Sequence, residues 1–460
     1  MLKRFLAWLD DRSGLLTAGR HALEHRVPPR TGWWYVFGSA TFIAFVLQVV
    51  TGIALATAYV PSSGQAYDSL RFISEQALLG RFLRGMHYFG ASAMVLLIGI
   101  HVSRTYLMAA YKFPRELNWL SGAVLLLLTL ALAFTGQLLR WDQNAVWSVI
   151  VGAAQAGRMP VFGRDLAQFI LAGDTIGGAT LSRFFAFHVF FIPALVFGLV
   201  GLHLALVLKH GISERPRPGD PVDPDTYRDR YGELLRREGV PFWPDAAWRD
   251  VVFGAATVAT VVLLAIVVGP PALGRPPDPS ILEAYPRPDW YFLWYFAVLA
   301  MLPQNLETVI IVLGPLLFGA FLLLVPLFNR GERSVRRRPW AAGLVIFIWT
   351  TIGVFWFAGE RADWSPDFSA PKLPASVVAG LDSTAATGAA LFHDKGCEFC
   401  HAMAGFGGKR GPDLSEVASR MTRDQLVARI TNGGPNMPAY ARSMSPAEVQ
   451  AIVAFLATRR

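Results

Sequence analysis

Four histidines lie inside strongly apolar runs of this sequence, at positions 87, 101, 188 and 203. An ionisable side chain at that depth in hydrocarbon is expensive, and it marks function more often than packing. One such histidine is commonly just a hydrogen-bonded packing residue, but four at matched spacing are harder to explain that way. His87 and His101 stand 14 residues apart, His188 and His203 stand 15 apart. Along an α-helix the first interval rises ~21 Å and returns to within about 40° of the starting face, while the second ends about 60° to the other side. Each helix therefore offers one imidazole near each end, on roughly one face. Two such helices running in the same direction pair His87 with His188 and His101 with His203. A pair of imidazoles can close both axial positions of a haem iron, which blocks substrate at the metal and leaves electron transfer as the task. Two b-type haems are the expected cofactors of these runs.

Gly38 and Gly52, and again Gly122 and Gly136, repeat the 14-residue interval on two neighbouring apolar runs. A missing side chain lets a flat, bulky ligand approach the backbone. Helix packing through small residues is the alternative for either pair taken alone. Arg84 and Arg104 flank the His87–His101 interval and could pair with haem propionates or anchor the helix at an interface.

A second chemistry sits near the C-terminus. CEFCH at 397–401 is a C-x-x-C-H run, the signature of covalent c-type haem attachment through Cys397 and Cys400, with His401 as one axial ligand. The C-x-x-C alone would also fit a redox dithiol or half a zinc site. The adjoining histidine and the lack of any further cysteine argue against both. A methionine is the expected second ligand, which raises the potential. Of Met403, Met421, Met437 and Met444, we select Met437, because its NGGPNMPAY loop is Gly- and Pro-rich and precedes a helical pattern. Met421 and Met444 are expected to pack or to lie on the surface.

The elements that hold these residues follow from composition. Of 460 residues 53% are hydrophobic and only 16% charged, where a soluble domain carries about a quarter charged. Seven apolar stretches, near 33–58, 86–108, 119–139, 184–208, 250–269, 305–328 and 340–358, are each long enough to cross a bilayer as a helix. The net charge of +9 is not one patch, so a nucleic-acid partner is not indicated. The basic residues lie in alternate connections: Lys112 and Arg115; the Lys209–Arg237 stretch; and Arg330, Arg333 and Arg336 to Arg338. The positive-inside rule then puts the N-terminus inside and the C-terminus outside. No cleavable signal peptide is read. The opening MLKRFLAWLDDRSG is either an amphipathic helix on the inner face or a solvated tail. The expected fold is all-α: seven transmembrane helices, a four-helix haem bundle plus three, with a small helical domain outside. The expected division is an N-terminal segment 1–30, the di-haem part 31–210, a linker 211–248, a three-helix part 249–358, a second linker 359–385 and the haem-attaching domain 386–460. Segments 140–183 and 270–304 do not span, and their length hints at function.

Over about 30–358 the sequence resembles cytochrome b of bc-type quinol:cytochrome c oxidoreductases, through GQLLRWDQ at 136–143, TLSRFFAFHVF at 180–190 and PDWYF at 288–292. The 15-residue gap and the seven helices resemble the chloroplast-type branch, there split over two polypeptides. The Met437 loop and GPDL at 411–414 resemble small class I cytochromes c. The resemblance implies a quinol-oxidation pocket on the outer face, built from segment 140–183 and the PDWY turn. Asp289 would take a quinol proton, with Tyr291 as a hydrogen-bonding partner. Family members usually carry Glu in that turn, and Asp there resembles versions from menaquinol-using organisms. The turn also fits a plain helix start, with Pro288 and Asp289 suited to a first turn. Arg140 stands where relatives usually have Pro. Val36 stands where chloroplast-type relatives have the cysteine that anchors a third haem. Lys209 and His210 are nominated for an inner quinone site.

The expected role is therefore the fused cytochrome b and c subunit of such an oxidoreductase in a bacterial cytoplasmic membrane. Quinol would be the substrate, a separate Rieske iron–sulfur protein the partner, and a soluble cytochrome or similar protein the acceptor. The family pattern implies a homodimer. The competing reading is a membrane electron conduit or haem anchor for another oxidoreductase, which would need neither the PDWY turn nor segment 140–183. A transporter would need broken polar helices at mid-membrane.

Overall fold

The computed structural model describes residues 1–277, 286–328, 330–361, 372–408, 411–434, 437, 439–441 and 444–459. Seven described helices are long and apolar enough to cross a membrane: Phe37–Ala56, Gly80–Leu107, Glu116–Leu138, Gly178–His210, Phe242–Val267, Leu306–Leu327 and Pro339–Arg361. In lipid every backbone polar group must be satisfied within the segment, so long apolar runs have little choice but helix. The few hydroxyls in these runs obey the same rule. Thr51, Thr129 and Thr135 each return the hydroxyl to a carbonyl four residues back. The second and fourth spans start at Gly80 and Gly178, six residues before the sequence expectation, and the fifth at Phe242, eight before it; the other boundaries match to within about four. In the fifth span Phe242–Ala246 forms a wide turn with a non-helical Trp243, and the regular helix starts at Ala247, because Pro241 and Pro244 cannot donate to a helical ladder.

The first span packs on the second and the third on the fourth, and the fifth lies against the first two. Ala40, Ala44 and Phe45 of the first span, Met94 and Leu97 of the second, and Ile192 and Val196 of the fourth form a buried cluster at the centre. The fourth span is not a uniform helix. Phe187–Phe191 is a wider, π-type turn, and Pro193 follows after Ile192. Proline cannot donate to the carbonyl four residues back and its ring crowds that carbonyl, so the ladder opens there and closes again with one residue more per turn.

Connections carry short helices of their own: Ala66–Glu75 after the first span, Gln143–Ala156 and Gly163–Leu171 after the third, and Trp290–Met301 before the sixth. Leu138, Trp141, Val149, Leu171 and Leu181 bury the first three of these against the bundle end. Leu2–Ser13 and Leu15–Glu24 open the chain and expose Leu2, Phe5, Trp8 and Leu15. The connection after the fourth span holds the helix Pro224–Glu238, started by Asp223, whose side chain accepts from the Asp225 N–H. Two minimal antiparallel strand pairs occur among the described residues, Arg26–Val27 with Val240–Pro241 and Ala402–Met403 with Phe406–Gly407.

The C-terminal domain has its own core. Ser383–Asp394 crosses Pro446–Leu456, with Phe392 against Phe455 at 5.7 Å between ring centroids. A Cβ on Gly388 would lie 1.9 Å from the Ala451 carbonyl oxygen, so this crossing requires glycine. Parts of the expected functional loops, namely 278–285, 362–371 and Pro435, Asn436 and Pro438 beside Met437, lie outside the described residues.

Candidate functional site

His87 and His188 face each other with ring centroids 6.2 Å apart and ring planes inclined by 76°. Each ring is seated on a glycine of the neighbouring helix. A Cβ on Gly52 would meet His87 Cε1 at 3.2 Å, and one on Gly136 would meet His188 Cε1 at 2.6 Å. The other pair repeats the arrangement: a Cβ on Gly38 would meet His101 Cε1 at 3.0 Å, and one on Gly122 would meet His203 Cε1 at 3.4 Å. The sequence reading expected these glycines to admit a flat ligand. What lies against them is the imidazole, so their first effect is to let each ring sit close to the adjacent helix.

Beside three of these glycines is a hydroxyl that sequence reasoning missed. Thr51 Oγ1 is 2.9 Å from His87 Nδ1, Thr135 Oγ1 is 3.2 Å from His188 Nδ1, and Ser121 Oγ is 2.9 Å from His203 Nδ1. Each hydroxyl already gives its proton to a carbonyl of its own helix, at 2.7 to 2.8 Å. It is therefore the acceptor for Nδ1–H, which fixes the tautomer and leaves Nε2 with a free lone pair. A ring held in this way is oriented as a metal ligand needs to be. Gly38 is preceded by Phe37 and offers His101 no hydroxyl.

The wide turn at Phe187–Phe191 explains the unequal spacings. It contains His188 and adds about one residue without a matching advance along the ladder. The 15-residue interval on the fourth span thus behaves like the 14-residue interval on the second.

A cavity surrounds the His87–His188 pair and reaches Asp289 and Tyr291. Its wall also carries Arg84 and Arg140. Arg84 is engaged: Nη1 donates to Ser74 Oγ at 3.0 Å and Nη2 to the Pro271 carbonyl at 2.8 Å. Arg140 buries Nε and Nη2 with no hydrogen-bond partner among the described residues. Near the second histidine pair Arg104, 8% exposed, likewise buries Nε and Nη2 unpartnered and stacks on Tyr35 at 4.0 Å.

The PDWY turn and segment 140–183 come together. Asn144 exchanges two hydrogen bonds with the backbone of Arg287, and the Gln143 N–H donates to the Arg275 carbonyl. Asp142 caps its own helix through the Ala145 N–H and accepts from the Gly274 N–H. Asp289 does occupy the N-cap of Trp290–Met301, but its side chain makes no cap hydrogen bond. Its Oδ2 instead accepts from Tyr291 OH at 2.9 Å. Burial, followed by the Asp289 carboxylate, pushes the Tyr291 phenol well above its ordinary pKa, so it remains a donor. Lys209 and His210 end the fourth span, where the His210 carbonyl accepts from Arg115. Val36 is buried.

In the C-terminal domain His401 Nδ1 lies 2.8 Å from the Pro412 carbonyl, which again leaves Nε2 free. A Cβ on Gly411 would meet the His401 ring at 2.5 Å, the same glycine seat as in the membrane. Cys397 and Cys400 are not joined in a disulfide. Met437 is half-buried against the domain core and pairs backbone to backbone with Gly434. Met403 is fully buried and Met444 nearly so.

Three family models match parts of the chain. Residues 22–211 match the family model for cytochrome b/b6/petB, residues 283–368 that for cytochrome b(C-terminal)/b6/petD, and residues 383–456 that for cytochrome C oxidase, cbb3-type, subunit III. Cytochrome b of Allochromatium vinosum is 32% identical over 380 residues, covering 78% of this chain and 88% of its own length. The chain belongs to the cytochrome b family. The menaquinol:cytochrome c reductase cytochrome b subunit of Bacillus subtilis is 38% identical over 222 residues, 46% of this chain and 99% of its own. Cytochrome b6 of Heliobacterium mobile is 37% identical over 209 residues, 45% of this chain and 98% of its own. A solved hyperthermophilic respiratory Complex III superposes with a TM-score of 0.66 at 25% identity, covering 78% of this chain and 91% of that one. The chain is thus a multi-pass membrane cytochrome with a cytochrome c domain, and its cofactors are haem.

The residues present fit that group. The facing rings of His87 and His188, each with Nε2 left as an acceptor, are a donor pair that suits a haem iron. The unpartnered guanidinium atoms of Arg140 and Arg104 are suited to carboxylates such as a haem carries.

Proposed function

We propose that this chain is the fused cytochrome b and cytochrome c subunit of a proton-translocating quinol:cytochrome c oxidoreductase. The observation that carries the reading is the joining of the His87–His188 pair and the Asp289–Tyr291 pair in one cavity. Haem bound at the two membrane pairs and at the C-terminal CEFCH run supplies one-electron transfer, one electron of each quinol crossing the membrane to an inner quinone and the other leaving through a separate Rieske protein and the c domain.

His87 and His188 hold one b haem and His101 and His203 the other, through Nε2. Thr51, Thr135 and Ser121 hold three of those rings in the ligating tautomer. Cys397 and Cys400 would bind the c haem covalently, and His401, through Nε2, and Met437 would supply ligands to its iron. Asp289 accepts a proton from a quinol hydroxyl, and Tyr291, bonded to the same carboxylate, orients it. The cavity lies on the outer side of a bacterial cytoplasmic membrane, so the protons leave there. A Rieske partner is required because both cysteines of this chain are committed to CEFCH. Menaquinol is the favoured substrate, on the aspartate of the PDWY turn and the similarity to the Bacillus subtilis subunit. The complex is a homodimer on the family pattern.

The reading is tested by quinol-dependent cytochrome c reduction in the purified complex. D289N should lose about 10²-fold or more of its turnover, within the range for removing a general base, while D289E keeps most of it and neither alters the haem spectra. Unchanged turnover in D289N would leave the conduit reading in its place.

A further inference from the structure

We infer that Arg140 is an anion-binding residue for the haem held by His87 and His188, and that its charge sets the potential of that haem. The inference rests on the assignment of those two histidines to one haem, and it concerns a residue which that assignment does not need.

Three observations converge. Arg140 lines the same cavity as both histidines. Its Nε and Nη2 are buried and have no hydrogen-bond partner among the described residues. The nearby Asp142 carboxylate does not satisfy them: its Oδ2 stays 3.9 Å from Nε, and its two oxygens already accept from the Ala145 and Gly274 N–H groups.

Charge balance points the same way. Besides Tyr59, Tyr88 and Tyr291, the ionisable lining of the cavity comprises the two histidines, two guanidiniums, Arg84 and Arg140, and one carboxylate, Asp289. That carboxylate is bonded to Tyr291, and Arg84 is bonded to Ser74 and the Pro271 carbonyl. Arg140 is thus a half-buried cation, its side chain 20% exposed, whose two buried donors lack an acceptor, an arrangement that is unfavourable until an acceptor completes it. A carboxylate beside the histidine pair is the anion whose planar, two-oxygen geometry suits a guanidinium fork. The sequence places this arginine just before Trp141, which turns the chain with φ of 47° and anchors its indole on the Ser63 carbonyl at 3.1 Å. The turn is therefore fixed from the far side, which leaves the Arg140 side chain to the cavity.

A cation at the periphery favours the reduced, less positive haem, so removing it lowers the potential. The test is a potentiometric titration of both b haems in the assembled complex, with haem content measured in parallel. In R140Q the reduction equilibrium of one b haem should weaken by about tenfold, which for a one-electron couple is 59 mV. The other b haem should not move, and R140K should lie between R140Q and the parent. If R140Q does not assemble, R140M carries the same measurement. Two b haems at full content with unchanged potentials in R140Q would overturn the inference. So would a change confined to the KM for quinol, which would assign Arg140 to the substrate. A parent complex that lacks one b haem would instead overturn the histidine assignment.

Discussion

The most demanding contacts at the residue scale are between glycine and imidazole, and they rank themselves. A Cβ at position 136 would stand 2.6 Å from the His188 ring, a distance that real Cβ contacts do not show, whereas one at 122 would stand at an ordinary 3.4 Å from His203. G136A should therefore lose the haem of the His87–His188 pair, read as one b haem in the dithionite-reduced spectrum. G122A should keep both. Equal spectra for the two variants would mean that the glycines serve helix packing alone. The histidines were legible in the sequence because residue type, depth and spacing all spoke together. Thr51, Ser121 and Thr135 were not, although each directly precedes its glycine. A hydroxyl in an apolar helix reads as a residue bonded to its own backbone, and these are. Only packing reveals that the second lone pair is used by a neighbour. Arg140 was visible as a departure from the family pattern, but its unused donors depend on the tertiary placement of Asp142.

At the scale of elements, the wide turn at Phe187–Phe191 keeps the two histidines of the fourth span in phase. Deleting Val189 would remove the extra residue and leave the 14-residue interval that the second span already uses, whereas inserting one alanine after Val200 would rotate His188 by about 100° relative to His203. The deletion should keep two b haems per chain and the insertion should leave one; two b haems in the insertion variant would show that the phase of the two histidines is dispensable. Pro193 was the available signal for this turn, and proline in an apolar helix does not by itself say which way the ladder will adjust. The connection after the fourth span was legible as a polar linker, but its attachment was not. Arg333 is only 3% exposed in its side chain and is paired with Glu214, which also accepts from Tyr227 at 2.8 Å. Burial alone would raise the Glu214 pKa, yet Arg333, Tyr227 and Arg115 bring it below the ordinary value. A carboxylate depressed in the folded state contributes stability above its ordinary pKa, and that stability fades as pH falls through the depressed value. E214Q would strand a buried guanidinium, a change worth about 3–5 kcal/mol in such pairs. Its thermal unfolding midpoint should lie clearly below the parent at pH 7, and the gap should close in acid. A gap independent of pH would mean that shape rather than charge holds the linker.

Over the whole molecule, the three arrangements proposed to hold haem lie in one polypeptide, each built on an imidazole seated against glycine. The seven spans and the separate C-terminal domain were legible because lipid permits only long apolar helices and because CEFCH is specific. The joining of Asp142, Gln143 and Asn144 to the backbone at 274, 275 and 287 was not legible, since backbone partners carry no sequence signature. That joining is what brings the PDWY turn to the His87–His188 cavity. The count of haems decides whether these parts work as one conduit. A pyridine haemochrome assay on the purified complex, with covalent haem staining of this polypeptide, should give two b haems and one covalent c haem per chain. One b haem, or none, would contradict the four-histidine assignment and leave a membrane anchor for a c-type electron relay.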